Sequence, residues 1–299
     1  MGPQPVLELQ DLTVQYPGTA GATLDGLNLR LSAGQSLALV GPSGCGKSTV
    51  ARTLLQLLPS GSHCRGTINL NGVDPRRLTK RQLEQWRGEA VGLVFQDPMT
   101  RLNPLLTIGE HLADTLAAHR PGDGARGWRQ RATELLQRVG IGPERYGSYP
   151  HEFSGGMRQR VAIALAMALS PKLVIADEPT TSLDVAIAAQ VMAELTALCR
   201  DSGSALLLIS HNLALAGRWC DQIAVLEAGR LVEQGPAQAL LRQPRSAMGQ
   251  RLVSRARELE ASGSTTPEPA PQLLSIDNLR CWHRLPSPPW QQRWLKAVD

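Results

Sequence analysis

A single stretch, GPSGCGKST from Gly41 to Thr49, constrains this chain more than any other feature. It follows 36–40 (SLALV), an apolar run that reads as a buried strand. It precedes 50–58, where Val50, Ala51, Leu54, Leu55, Leu57 and Leu58 read as a helix ended by Pro59 and Gly61. The stretch fits G-x-x-x-x-G-K-[ST] through Gly41, Gly46, Lys47 and Ser48. The residues between, Pro42, Ser43, Gly44 and Cys45, are small enough for successive backbone N–H groups to turn toward phosphate oxygens. The helix that starts here adds its positive end. Lys47 supplies a point charge to the β and γ phosphates, the Ser48 hydroxyl can ligate Mg²⁺, and Thr49 closes the cradle.

The chain before the cradle reads as antiparallel β structure. Leu7, Leu9, Leu12 and Val14 come close to strand alternation within 6–16, and 27–31 alternates again after a turn at Pro17-Gly18. Tyr16 is a half-buried strand tyrosine or an aromatic face for a nucleobase. Strands are expected at 67–70 and 91–95, the second ending at Gln96-Asp97-Pro98. The Gln96 amide oxygen can meet a metal or a water, or simply end a strand. Residues 99–150 change character, with helical spacing over 108–118 and 128–139. Such an insertion between strands is either plain helical packing or a surface for a partner.

Ser154, Gly155 and Gly156 then open a helix over 157–169, as an ordinary cap or as a second anion site. The strand 173–176 ends in Asp177-Glu178-Pro179. Carboxylates at the C-terminal end of a buried parallel strand lie where α/β ligands bind. One can hold Mg²⁺, and the other can orient and deprotonate a water. Ser182-Leu183-Asp184 precedes a helix over 185–199, and a strand over 205–209 ends at Ser210-His211. His211 can reach a γ-phosphate, but a lone histidine is more often structural, so its role rests on its company. A hairpin is expected around Ala228-Gly229, helices over 236–242 and 247–260, and linker composition over 262–272 (SGSTTPEPAPQ).

Taken together and in this order, these motifs resemble an ABC-transporter ATPase subunit over about residues 6–260. FQDPMTRLNP (95–104), FSGGMRQRVAIALA (153–166), IADEPTTSLD (175–184) and LVEQGPA (231–237) are similar to its oligopeptide, dipeptide and nickel importer branch. The resemblance implies an α/β fold: a P-loop core, an N-terminal antiparallel β subdomain and an inserted helical subdomain at about 97–170. It implies ATP and Mg²⁺ as cofactors, and ATP hydrolysis that powers uptake of di- or oligopeptides. A nickel or metal-chelate importer, a soluble ABC ATPase acting on DNA or ribosomes, and a non-catalytic regulatory subunit are the rival readings. The last is opposed by the presence of Glu178 and His211.

The resemblance also implies roles. Tyr16 stacks on adenine and 41–49 hold the phosphates. Ser48, Gln96 and Asp177 serve the metal. Glu178 is the general base, and His211 senses the γ-phosphate. Ser154, Gly155 and Gly156 contact the γ-phosphate of a nucleotide held by the opposite subunit of a head-to-tail pair, and Asp184 is counted among the nucleotide-binding residues. The implied partners are that second ATPase subunit, two transmembrane permease subunits reached through about 97–150 and, indirectly, a solute-binding protein. The implied location is peripheral, on the cytoplasmic face of the cell membrane. The usual LSGGQ appears here as FSGGM, with Phe153 and Met157, a form common in this branch. The cysteine-rich stretch that carries an iron–sulfur cluster in some relatives has no counterpart, so no cluster is expected.

Composition agrees with a soluble subunit. No apolar run is long enough to span a bilayer, and the first residues lack a basic-then-apolar leader. Net charge is +5, yet no Lys/Arg run makes a nucleic-acid patch, so no nucleic-acid partner is expected. The cysteines 45, 64, 199, 220 and 281 form no metal spacing and suggest reduced thiols. One feature stands apart. Residues 273–279 (LLSIDNL) repeat the pattern of 6–12 (VLELQDL), Trp282 or His283 falls near the place of Tyr16, and 295–299 resembles the region of 23–25. The expected organisation is an ATPase domain over 1–260, a linker over 261–272, and an extension over 273–299 that resembles the start of a second cassette. Read as the start of the second half of a fused double cassette, that extension is expected to lack its sheet and to be flexible or packed opportunistically; the alternative is a C-terminal extension particular to the branch.

Overall fold

The phase of the leucines in the first strand positions the N-terminal sheet. The structure, a computed structural model, describes residues 5–97, 101–262, 275, 277–285 and 293–298. Strand β1 (Pro5–Gln15) pairs antiparallel with β2 (Leu24–Ser32). Leu7 and Leu9 face inward, and so do Leu12 and Val14, which are out of phase with them. The register shifts between Leu9 and Leu12, where Asp11 takes a φ of 49°. This bulge returns both pairs of side chains to one face. After β3 (Ser36–Val40) and α1 (Lys47–Leu54), strand β4 (His63–Leu70) pairs with the other edge of β1. Gly66 is required there, because a Cβ would lie 2.4 Å from the Asp11 carbonyl oxygen.

Helix α1 ends four residues before the expected Leu58. Gln56 takes a φ of 51°, and the Leu57 N–H returns to the Arg52 carbonyl at 2.7 Å. The Arg87 guanidinium donates to the freed carbonyls of Leu55 (2.8 and 3.0 Å) and Gln56 (3.0 Å). Arg87 belongs to α2 (Lys80–Glu89), a helix not expected from the apolar spacing but announced by a capping box between Thr79 and Gln82.

The remaining elements build the main sheet and the helices on it. They are β5 (Val91–Val94), α3 (Ile108–His119), α4 (Gly124–Arg138), α5 (Gly155–Met167), β6 (Leu173–Asp177), α6 (Val185–Ser202), β7 (Ala205–Ser210), α7 (Leu213–Trp219), β8 (Gln222–Glu227), β9 (Arg230–Pro236), α8 (Ala237–Arg242) and α9 (Ala247–Ser262). The six-stranded order is β5-β6-β7-β3-β8-β9, parallel except for the antiparallel β8–β9 hairpin. Both faces are covered, which is why these strands read as continuous apolar runs. Leu37 and Leu39 join a core shared with the N-terminal sheet and α1, while Ala38 and Val40 join one under α3 to α7. The same division holds for Leu173 and Ile175 against Val174 and Ala176. Each fully buried leucine stabilises the fold by about 2 kcal/mol over its exposed state.

Glu233 on β9 fastens the start of α9. Its carboxylate accepts from the N–H of Arg245 (2.8 Å) and of Ser246 (2.8 Å) and from Ser246 Oγ (2.6 Å). Burial alone would raise its pKa, but these hydrogen bonds outweigh it and hold the carboxyl below the usual glutamate range. The folded pKa is depressed, so the contribution is complete above the usual glutamate pKa and is lost as pH falls through the depressed value. Glu233→Gln is expected to cost about 1 kcal/mol at neutral pH. Denaturant unfolding should show the difference from the parent shrinking as the medium is acidified.

The chain divides into two units, Met1–Glu258 and Leu259–Asp299. The expected linker lies outside the described residues from 263 onward, as do residues 273, 274 and 276 of the repeat. The second unit has a feature the sequence reading did not expect. β10 (Cys281–Leu285) and β11 (Arg293–Val298) pair antiparallel with each other, so these strands supply one another's backbone partners. Among the described residues, no helix is long and apolar enough to cross a membrane.

Candidate functional site

Strand order gathers the site. β5, β6, β7 and β3 are successive neighbours and run parallel, so their C-terminal ends share one sheet edge. Gln96 follows β5, Asp177 and Glu178 close β6, His211 follows β7, and the loop 41–46 follows β3. Residues spread over 170 positions of sequence therefore meet at one edge, where open α/β sheets bind ligands.

The loop is shaped for close approach. Gly44 and Gly46 have φ of 78° and 107°, and a Cβ on Gly46 would lie 2.7 Å from Leu24 Cδ2 and 2.8 Å from the Thr23 carbonyl oxygen. A Cβ on Gly41 would lie 2.2 Å from the Leu226 carbonyl oxygen. Helix α1 has no side-chain cap and no acidic residue in its first turn, so its N–H end is open to an anion. Lys47 is buried and donates to the carbonyls of Gly41 (2.8 Å) and Pro42 (2.9 Å). A cleft of about 220 Å³ opens here, lined by Thr23, Ser43, Gly44, Gly46, Lys47, Ser48, Thr49 and Glu178. Thr23 was not expected at this site. The Tyr16 hydroxyl lies 3.2 Å from Thr49 Oγ1, which holds the aromatic ring beside the cradle.

The two carboxylates are driven in opposite directions. Asp177 is held above the usual aspartate range, first by burial and further by the Glu178 charge, against the opposing hydrogen bond from Ser48 Oγ at 3.4 Å. Burial also acts to raise Glu178. There, hydrogen bonds from His211 and Thr181 outweigh it, and the carboxyl stays below the usual range. His211 Nδ1 lies 3.0 Å from Glu178 Oε1. Thr181 Oγ1 donates to Oε2 at 3.0 Å, and Gln96 Nε2 donates to Oε2 at 3.3 Å. Adjacent carboxyls with divergent environments can divide the work of binding and base chemistry. The Glu178 backbone has a φ of 47°, unusual for a residue with a side chain, and its N–H bonds the Ile209 carbonyl of β7 at 2.9 Å.

A second cleft, of about 350 Å³, shares Ser48 with the first and brings Ser48, Gln96 and Asp177 to one wall with Arg52, Phe95 and Arg101. Its oxygen donors, a hydroxyl, an amide and one half-buried carboxylate, suit Mg²⁺, which takes few protein ligands and completes its shell with water and phosphate. Among the described residues, no group of three or more His, Cys, Asp or Glu could hold a metal alone.

The structure does not bring Ser154, Gly155 and Gly156 to these clefts. Ser154 caps α5 by accepting from the Met157 N–H at 3.4 Å. Asp184 caps α6 by accepting from the Ile187 N–H at 2.9 Å. The two caps lie side by side: a Cβ on Gly156 would fall 2.4 Å from Ile187 Cγ2, and one on Gly155 would fall 3.5 Å from Leu183 Cδ2. Pro98, Met99 and Thr100 of the Gln96 motif lie outside the described residues. Thr181 escaped the sequence reading, although Glu178-Pro-Thr-Thr181 has the spacing of a turn in which residue i+3 folds back on residue i.

Comparison with known proteins agrees with this geometry. The ABC transporter family matches residues 24–181. The chain is 44% identical over 248 residues to the probable D,D-dipeptide transport ATP-binding protein DdpD of Escherichia coli, covering 81% of this chain and 75% of that protein. It is 39% identical over 285 residues to the oligopeptide transport ATP-binding protein OppD of Salmonella typhimurium, covering 92% and 84%. The OppD of Mycobacterium tuberculosis is 39% identical over 271 residues, 89% of this chain, but the match spans only 44% of that longer protein. Among solved structures, a dimeric ATP-binding cassette in a post-hydrolysis state with ADP and Pi superposes with a TM-score of 0.68 at 28% identity, covering 77% of this chain and 98% of that one. The cbiO1 protein of Clostridium perfringens gives a TM-score of 0.69 at 25% identity, covering 86% and 99%. The chain belongs to the ABC transporter family, as an ATP-binding cassette with the P-loop ATPase fold.

Proposed function

We propose that this chain is the ATP-hydrolysing subunit of an importer for di- and oligopeptides. The observation that carries the reading is the carboxylate of Glu178, held charged by His211 and Thr181 at the mouth of the cradle that contains Lys47. Lys47 and the N–H groups of 41–49 hold the phosphates, and Tyr16 offers its ring to adenine. Ser48, Gln96 and Asp177 hold Mg²⁺, which screens phosphate charge when bound. Glu178 takes the proton of the attacking water, and His211 orients the γ-phosphate side of the site.

The separation of the Ser154–Gly156 and Asp184 caps from the cradle suits a two-subunit site. In that reading these caps face a nucleotide held by a second ATPase subunit, so ATP binding closes the pair and hydrolysis reopens it. The motion passes through about 97–150, within the helical subdomain, to two transmembrane permeases, and a solute-binding protein delivers the cargo. In this reading the chain sits at the cytoplasmic face of the cell membrane. The peptide cargo is carried over from the relatives named for dipeptide and oligopeptide transport. We read 1–260 as the cassette and 261–272 as a linker. We read 273–299 as a copy of the opening of a cassette, and the β10–β11 hairpin supports this as a counterpart of β1–β2.

The test is ATP-dependent uptake of labelled dipeptide and of nickel into vesicles that carry the complete transporter, with the Glu178→Gln transporter as blank. Dipeptide uptake that disappears in the blank is the expected result. Nickel uptake without dipeptide uptake would reassign the cargo to metal.

A further inference from the structure

We infer that Thr181 is a positioning residue for hydrolysis: its hydroxyl fixes the Glu178 carboxylate so that one acceptor direction remains for the attacking water. The inference rests on the reading of Glu178 as the general base.

An ionised carboxylate has roughly four lone-pair directions. Among the described residues, His211 Nδ1 occupies one on Oε1, at 3.0 Å. Thr181 Oγ1 at 3.0 Å and Gln96 Nε2 at 3.3 Å meet Oε2. Three donors thus surround the carboxylate and leave a fourth direction on Oε1. Thr181 makes the shorter of the two contacts to Oε2. The other donor, Gln96, sits on a loop end whose amide oxygen has a separate task at the metal. Thr181 has no such second duty and is tied to Glu178 through the backbone as well, its N–H reaching the Glu178 carbonyl at 3.4 Å.

The backbone explains why a further restraint is needed. Glu178 stands at a φ of 47°, so the direction of its side chain is set by an uncommon conformation. Two tethers hold that conformation: the Glu178 N–H to Ile209 on one side and the turn to Thr181 on the other. The turn continues through the Leu183 N–H bonded to the Thr180 carbonyl at 3.1 Å, and then to Asp184 at the start of α6. A hydroxyl at 181 therefore couples the orientation of the base to the segment that packs on Gly155 and Gly156.

The experiment compares Thr181→Val, Thr181→Ser, Glu178→Gln and the double variant Thr181→Val/Glu178→Gln in the assembled transporter, reading kcat and KM for ATP by phosphate release. Thr181→Val keeps the shape and removes the donor. It is expected to lower kcat about tenfold with KM unchanged, the scale of a hydrogen bond to a charged group. Thr181→Ser should restore kcat to within about twofold, because it restores the hydroxyl. Single-turnover phosphate release should show no further loss when Thr181→Val is added to Glu178→Gln, since the base it positions is already gone. Normal kcat in Thr181→Val beside a collapsed Glu178→Gln overturns the inference and leaves the base reading intact. So does an equal loss in both backgrounds, or a Thr181→Ser variant as impaired as Thr181→Val. Near-normal kcat in Glu178→Gln overturns the base reading itself.

Discussion

Glu178→Gln is expected to bind ATP as the parent does and to lose about 10²- to 10⁴-fold in turnover, the range that a positioned general base contributes. The substitution is nearly isosteric. Its amide can still meet Thr181 and Gln96, so the site keeps its shape. It cannot take a proton. In the parent, burial acts to raise this carboxyl, but the hydrogen bonds from His211 and Thr181 outweigh it and hold the group below its usual range, so it is charged at neutral pH. Asp177 cannot substitute. Burial holds it above its usual range, and it lies against Ser48, on the wall of the second cleft. Steady-state phosphate release together with the affinity for a non-hydrolysable ATP analogue checks both halves of the expectation. Turnover within a few-fold of the parent would remove Glu178 from the role.

The second large effect is expected in binding. Lys47→Ala should raise the dissociation constant for ATP by about tenfold to a hundredfold, the scale of losing a charge-assisted contact to an anion in a partly dry site. Lys47 is buried, and its ammonium donates to the carbonyls of Gly41 and Pro42 and, at 3.9 Å, to Cys45 Sγ. A buried ammonium without a carboxylate is costly, and a phosphate beside it removes that cost. Truncation also removes the three hydrogen bonds that tie the loop to this side chain. Titration of the parent and the variant with the same analogue reads the change directly, and equal affinities would contradict the cradle.

Much of this site was legible because its parts are local. The cradle is contiguous, and each of Gln96, Asp177, Glu178 and His211 directly ends a recognisable apolar strand. What could not be read were features created by distant contacts. The early end of α1 depends on Arg87, more than thirty residues away, bonding the carbonyls of Leu55 and Gln56. Helix α2 is not legible from periodicity because Trp86 is its only buried residue, too thin an apolar stripe to register. The pairing of β10 with β11 is not legible locally, because the repeat with 6–12 points to partners in a larger sheet whereas these strands pair with each other.

The sequence by itself determined which chemical groups are present and the local element that carries each. A glycine-rich turn between strand and helix, carboxylates at a strand end, and a serine or aspartate before a helix follow from backbone sterics and capping over a few residues. Only the tertiary structure decided which of these groups meet. The apolar strands β3, β5, β6 and β7 are nearly interchangeable as local patterns. Their order follows from burying both faces of one sheet against two different cores. That packing sets Glu178 among His211, Gln96 and Thr181, holds its backbone at a conformation no local pattern announces, and leaves the caps at Ser154 and Asp184 out of the lining of both clefts.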